Sequence, residues 1–412
     1  MKVCINALLV EPGKTGGGET FLVNLLRNVF RADRENDYIV LVTNANRHLF
    51  ESDSDNITLR EVKDDSASKG RRILFENFSL PWLLKREKID LFYSPFGTLP
   101  LWLPCKSVVT IQNLLYFDYK NNVPFRGRSL KSRIFINLQA LYYKTMTPLT
   151  LARATKIWAI SNTTAWHLKK QFDVKQNKIS VIYAGVEYGR FNRLRNDVEA
   201  PSRIDGPYIL CVAQLYPNKN LDRVLHAFRE IVDRGVQHKL VIVGNDWHGY
   251  REQLECLSRK LQLENKVIFA GGVSHAELPP YFWNADLFLL VSNVESFGLP
   301  VLEAMAAGVP VIVSNRSSLP EIAGGAALLT SIDHKNHLSE QMLKVLQDKK
   351  LSDGLRRLGD QRARSFDWTE TAARAIDLFH DAAGISPTKL FHRKELTHAR
   401  DRSNMHEQDV VH

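Results

Sequence analysis

The alternation of short apolar runs with helix-period segments constrains this 412-residue chain more than any other feature, and it runs through twice. The first series opens with an apolar run at 2–9 and a turn holding Gly16, Gly17 and Gly18. A segment follows in which Phe21, Leu22, Leu25, Leu26 and Val29 recur at helical spacing. Further strands are expected at 38–43, 91–93, 107–111, 156–159 and 179–182. The second series starts at Pro207 with YILCVA, a turn containing Pro217 and Asn218, and a helix over 221–234. Strands at 239–243, 267–269, 287–291 and 309–314 follow. Such alternation implies parallel, doubly wound sheets. Two series imply two α/β domains, Rossmann-like in grammar, over 1–190 and 207–367, with the boundary in a charged, weakly periodic stretch around Pro201. A helix over 368–385, started by a threonine and carrying apolar Ala373, Ile376 and Phe379, has the option of crossing back to the first domain. The polar tail 387–412 reads as disordered.

Composition narrows the class. Apolar content of 44% and charged content of 24% are those of a soluble globular protein. No run reaches the roughly 18–20 apolar residues that a membrane helix needs. MKVCINALLVEPG reads as a buried first strand rather than a signal peptide, so a cytoplasmic location is expected. Cys4, Cys105, Cys211 and Cys256 lie far apart, without metal or redox spacing. The net charge of +10 is concentrated N-terminally: residues 1–200 hold 30 Lys and Arg against 19 Asp and Glu, and 201–412 hold 25 against 26. The stretch 119–172 contains ten bases and no acid, a field that attracts phosphate on a small molecule, a nucleic acid or an anionic lipid.

In open α/β sheets ligands bind beyond the carboxyl ends of the strands, so loops from both domains should line a cleft. The richest is ESFGLPVLEAMAAGVPVIVSN, residues 295–315. Pro300 suits a first helical position and Gly308 the left-handed position past a helix end, which puts Glu303 one turn inside and Glu295 in the loop before. A diphosphate can then sit on the amides of Phe297, Gly298 and Leu299, beside Ser296, with a carboxylate on either side. The same glutamates would also serve as an ordinary first-turn charge and a solvated loop residue. Gly17 and Gly18 let a backbone approach a phosphate or sugar, although their spacing matches no nucleotide fingerprint, and a plain flexible turn is the alternative. Lys219 at a helix start is badly placed for the dipole unless an anion compensates it, which points to a phosphate ligand. Gln112 and Asn113 end another strand, where an amide either bonds a sugar hydroxyl or ties two loops together. Ser161 opens an N-cap cluster for the helix that follows.

Loop, proline, glutamate, AMAAG and VPVIVS together resemble the nucleotide-sugar signature of the retaining glycosyltransferases of family 4 (group 1), in which two glutamates stand eight positions apart, as Glu295 and Glu303 do. The resemblance implies the two-domain GT-B fold, with Glu303 on the ribose hydroxyls and Glu295 at the donor sugar near the reacting carbon. It places Gln214, Asn218 and Lys219 in the diphosphate-binding strand and turn, and the loop of Ser161 at the border of the cleft. A frequent arginine is replaced there by Gln214, leaving Lys219 as the main cation. Gln112 stands where many relatives have a histidine, so acid–base work by this residue is excluded. A nucleotide diphosphate sugar as co-substrate, GDP-mannose first and UDP-sugars close behind, with no metal or other cofactor, is the further implication. So is a same-face mechanism in which the diphosphate itself helps deprotonate the acceptor. Partners expected are a saccharide or lipid-linked saccharide acceptor and an anionic membrane surface, in surface polysaccharide assembly. Two rivals are a non-transferring nucleotide-sugar epimerase of the same fold and a nucleic-acid-binding protein; the latter leaves the second half of the chain unexplained.

Overall fold

Parallel pairing organises both halves of the chain in the computed structural model, which describes residues 1–13, 15–62, 69–113, 130–192, 204–246, 249–334 and 336–385. In the first half the strands are β1 (Lys2–Asn6), β2 (Asp37–Val42), β3 (Ile57–Glu61), β4 (Leu91–Ser94), β5 (Lys106–Ile111), β6 (Lys156–Ala159) and β7 (Ile179–Val181). They form one sheet of order β3-β2-β1-β4-β5-β6-β7. In the second half β8 (Tyr208–Val212), β9 (Lys239–Val243), β10 (Val267–Gly271), β11 (Leu287–Leu290), β12 (Val311–Ser314) and β13 (Leu328–Thr330) form a six-stranded sheet of order β10-β9-β8-β11-β12-β13. Strand order reverses between β1 and β4 and again between β8 and β11, and these switch points are where a doubly wound sheet opens a crevice.

The central strands read as near-continuous apolar runs because helices cover both faces, and VCIN, YIVLV and VIVS are buried accordingly. Two strands were not among those expected. ITLRE of β3 alternates apolar and charged residues at the sheet edge, and β13 has three residues, so neither offers a long apolar run.

The helix Trp368–Ala383 returns to the first domain and packs on the helix Gly17–Ala32, β4 and β5. Trp368 meets Phe21 at 5.8 Å between ring centroids and Phe379 meets Tyr93 at 5.1 Å. Burying each of these rings contributes about 1.5–3 kcal/mol. Polar contacts fix the register: Asn36 Nδ2 lies 3.0 Å from His380 Nε2, and Lys156 pairs with Asp381 at 2.7 Å. Where the connection crosses this helix, a Cβ on Gly185 would lie 2.4 Å from the Trp368 nitrogen, so only glycine passes. The threonine expected to start the helix does not cap it. Asp367 does, its carboxylate accepting the Thr369 N–H at 2.8 Å, because a carboxylate at the N-cap reaches the free amides and meets the dipole with negative charge. The tail expected to be disordered lies outside the described residues.

Candidate active site between the two sheets

A cavity of about 390 Å³ lies between the domains, at the carboxyl ends of both sheets. The first domain contributes Gly17, Gly18, Gln112 and Asn113. The second contributes Gln214, Asn218 and Lys219 after β8, and Glu295, Ser296, Phe297, Gly298 and Leu299 after β11.

The wall of the second domain is stitched in place. After β8 the chain makes a single turn, Pro217–Lys219, and Asn220 takes a left-handed conformation (φ 52°) before the helix Leu221–Asp233. Asn218 Nδ2 donates to the Val294 carbonyl at 3.0 Å and Asn220 Nδ2 to the Val291 carbonyl at 2.7 Å. The hydroxyls of Ser317 and Ser318 donate to the Glu295 carbonyl at 2.6 and 2.9 Å. Two loops far apart in sequence are thereby clamped so that Lys219 Nζ meets Glu295 Oε2 at 2.5 Å, both side chains largely buried. The anion that Lys219 requires at this helix start is therefore a carboxylate of the protein itself. In surroundings of intermediate dielectric the attraction of such a pair is about 4 kcal/mol before desolvation takes most of it back, so a more highly charged anion can compete for the lysine.

The next helix, Leu299–Ala306, starts at Gly298 with φ 103°, a conformation that favours glycine, and has Pro300 in its first turn. Glu303 stands on this helix, but the residue is buried, 4% exposed, and is not among those lining the cavity. Its Oε1 lies 2.9 Å from Nε2 of His275, a residue absent from the expected site. Nothing local distinguishes His275 in the sequence: it follows Ser274, whose hydroxyl forms a capping box with Glu277.

The first domain supplies a plainer wall. A Cβ on Gly18 would meet Phe96 at 3.1 Å and Thr15 at 3.3 Å. Gln112 Nε2 donates to the Pro95 carbonyl at 2.8 Å, while its Oε1 faces Gly18. This amide therefore ties two loops together with one end and borders the cavity with the other. Ser161 is fully buried and outside the cavity lining; its hydroxyl accepts the Thr164 N–H at 3.0 Å as an N-cap.

Hydrogen bonds bridge the cleft. Glu321 of the second domain accepts hydrogen bonds from the Asn162 and Thr163 amides (2.7 and 3.0 Å), the Asn162 and Thr163 side chains and the Tyr183 hydroxyl. The helix Asn162–Phe172 is thus capped by a carboxylate from the opposite domain. Asn245 Nδ2 donates to the Gly13 carbonyl at 3.2 Å. In the loops that follow β9 and β10, a Cβ on Gly244 would fall 1.8 Å from the Ala213 carbonyl oxygen, so that backbone crossing admits only glycine, and one on Gly272 would fall 1.8 Å from the side-chain Oδ1 of Asn245.

Of the acid-free segment, 119–129 lies outside the described residues, and the remainder includes the helices Leu130–Arg153 and Asn162–Phe172. Cys4 and Cys211 are buried, and burial pushes the Cys211 thiol up to about 12. Among the described residues no helix is long and apolar enough to cross a membrane.

Two doubly wound domains facing each other across a cleft at their strand ends define the GT-B architecture. Models of glycosyl transferases group 1 and of glycosyltransferase family 4 match residues 193–362 and 15–190, and the chain belongs to that family. Mannosylfructose-phosphate synthase of Agrobacterium fabrum is 30% identical over 51% of this chain and 49% of its own length. O-antigen chain mannosyltransferase B of Escherichia coli is 30% identical over 42% of this chain and 45% of its own. The chain thus spans about half the length of these curated relatives. Among solved structures, Anabaena HepE in complex with UDP and glucose superposes with a TM-score of 0.66 at 18% identity, covering 92% of this chain and all of that one.

Proposed function

We propose that the protein transfers a sugar from a nucleotide diphosphate sugar to an acceptor hydroxyl, with retention at the anomeric carbon. The observation that carries this reading is the Lys219–Glu295 pair at the start of the helix Leu299–Ala306, in a cavity whose opposite wall is a glycine turn. A donor diphosphate, with more charge than one carboxylate, takes Lys219 and the helix-start amides, and its growing charge is stabilised as it leaves. Glu295 is released toward the sugar, near the carbon that reacts. The bond from the anomeric carbon to the diphosphate oxygen breaks as the acceptor oxygen bonds on the same face, and that diphosphate oxygen takes the acceptor proton. No metal ion is required, since Lys219 and the helix start supply the positive potential.

The names of the relatives favour a mannosyl donor such as GDP-mannose, and the nucleotide in the Anabaena structure favours a UDP-sugar. Asn218 is one of the residues lining the cavity, and its buried Oδ1 has no hydrogen-bond partner among the described residues, so it keeps an acceptor in reserve beside the donor site. Donor consumption across a panel of GDP- and UDP-sugars, with and without saccharide acceptors and with Glu295→Ala as control, tests the reading. Proton NMR of the product gives its anomeric configuration. Isomerised sugar without acceptor would indicate an epimerase, and an indifferent panel would remove the proposal.

The acceptor we propose is a lipid-linked saccharide of surface polysaccharide assembly, met at the cytoplasmic face of a membrane. The supporting surface differs from the acid-free segment that suggested it. Leu74, Phe78 and Trp82 recur every four residues along 69–86 and are 58%, 66% and 66% exposed. Trp102 lies 6.0 Å from Trp82, and Lys85 sits over that indole. The same run carries Lys69, Arg71, Arg72, Lys85 and Arg86 against Glu76 alone. Exposed indoles beside cations suit the interface of an anionic bilayer. Trp82→Ser together with Trp102→Ser should abolish sedimentation with phosphatidylglycerol vesicles; unchanged sedimentation would overturn this surface.

A further inference from the structure

His275 has a carboxylate on each ring nitrogen. Nε2 lies 2.9 Å from Oε1 of Glu303, and Nδ1 lies 3.3 Å from Oε2 of Glu187 in the connection between the domains. Glu187 also accepts from Asn24 Nδ2 at 3.2 Å and pairs with Arg27 at 3.6 Å, both on the helix Gly17–Ala32 of the first domain. Arg190 completes the charged surroundings, 3.2 Å from Glu187 and 3.5 Å from Nδ1 of the histidine, and Glu19 of the same first-domain helix acts at longer range. The Phe191 ring closes one side of the imidazole at 5.5 Å.

A neutral imidazole has one N–H and can satisfy only one of two carboxylates, whereas the imidazolium donates to both. Burial disfavours the cation, but the hydrogen bond and charge of Glu303 and the charge of Glu187 outweigh burial and the opposing Arg190, so the ring titrates above its ordinary range. With Oε1 held by the imidazole, the Glu303 carboxylate keeps a fixed direction.

We infer that His275 is a positioning residue that holds Glu303 for the ribose hydroxyls of a nucleotide and, through Glu187, links that carboxylate to the connection between the domains. The inference rests on the nucleotide-sugar reading of the cleft. While the imidazole is protonated both links are made and the ribose site is set. As pH rises through the raised titration point the ring keeps one proton, one carboxylate loses its donor, and nucleotide affinity falls. A rearranged charge-assisted hydrogen bond of this kind corresponds to about a tenfold change in affinity.

Isothermal titration of the full chain with UDP, GDP and their 2′,3′-dideoxy analogues between pH 5.5 and 8.5 tests it, on wild type, His275→Gln and Glu187→Gln. The wild type should bind a ribonucleotide about tenfold more weakly at the alkaline end, while the dideoxy analogue, which Glu303 cannot grip, should bind weakly and without that slope. His275→Gln should bind the ribonucleotide weakly at low pH and show no slope. Glu187→Gln, which leaves the imidazole in place, should move the slope to lower pH. A wild-type slope retained in His275→Gln, or a dideoxy analogue that follows the ribonucleotide, would overturn the inference and leave the donor reading standing. Failure of every nucleotide to bind the wild type would remove both.

Discussion

The two walls of the cleft are made of different materials. On the second domain, Asn218, Asn220, Ser317 and Ser318 spend their side chains on neighbouring carbonyls, so that Lys219 and Glu295 are held by groups that are themselves held. On the first domain the wall is a glycine turn with the amides of Gln112 and Asn113, the first of them tied to the Pro95 carbonyl. Fixed polar groups are what charge stabilisation needs, because they pay no reorganisation when charge appears. A glycine wall offers room and close approach, and little else. The difference assigns demanding electrostatics to one side and accommodation of shape to the other.

Three substitutions test that contrast, beginning with the largest effect. Lys219→Ala removes the cation that pairs with Glu295 in the stitched wall and leaves that carboxylate facing no positive charge from this turn; we expect kcat, measured at saturating donor, to fall about 10²–10³-fold. A loss below tenfold would mean that the fixed wall is scaffolding rather than chemistry. Gly18→Ala crowds the accommodating wall against Phe96 and Thr15, both side chains able to yield by a few tenths of an ångström. Its cost is set by about 1 kcal/mol of overpacking, a several-fold rise in acceptor KM with kcat nearly unchanged. If kcat falls instead, the first-domain wall shares the electrostatic work. Ser161→Ala, beside the cleft but outside its lining, removes a helix cap worth about 1 kcal/mol. The thermal midpoint should drop by a few degrees while the steady-state constants stay within twofold, and a larger kinetic change would extend the site to this helix.

Legibility followed the same division. The second-domain wall is carried by two short stretches, 294–300 and 212–219, so local spacing was enough to propose it. The Lys219–Glu295 pair joins positions 76 residues apart, and no local pattern announces it. His275 and Glu187 are further cases, since their meaning comes from neighbours in other elements. Ser161 was legible as a cap, whereas the carboxylate that completes that helix start, Glu321, comes from the other domain. In the fold, buried central strands advertised themselves through apolar runs. Edge strands β3 and β13 did not, because one solvated side or a three-residue length erases that signal. The threonine near the start of the last helix was a reasonable cap by type, yet Asp367 was better placed.

The returning helix sets the order in which the two domains can be finished. Trp368 and Phe379 complete the aromatic packing around Phe21 and Tyr93. A chain emerging from the ribosome therefore exposes an incomplete first domain until residue 383 has appeared, 193 residues after residue 190. At about 5–20 residues per second that interval is roughly 10–40 s, during which the second domain, whose strands lie between 208 and 330, can already close its own sheet. The domain made first is the one completed last, and its unfinished aromatic face is the surface that a chaperone would have to shield in the meantime.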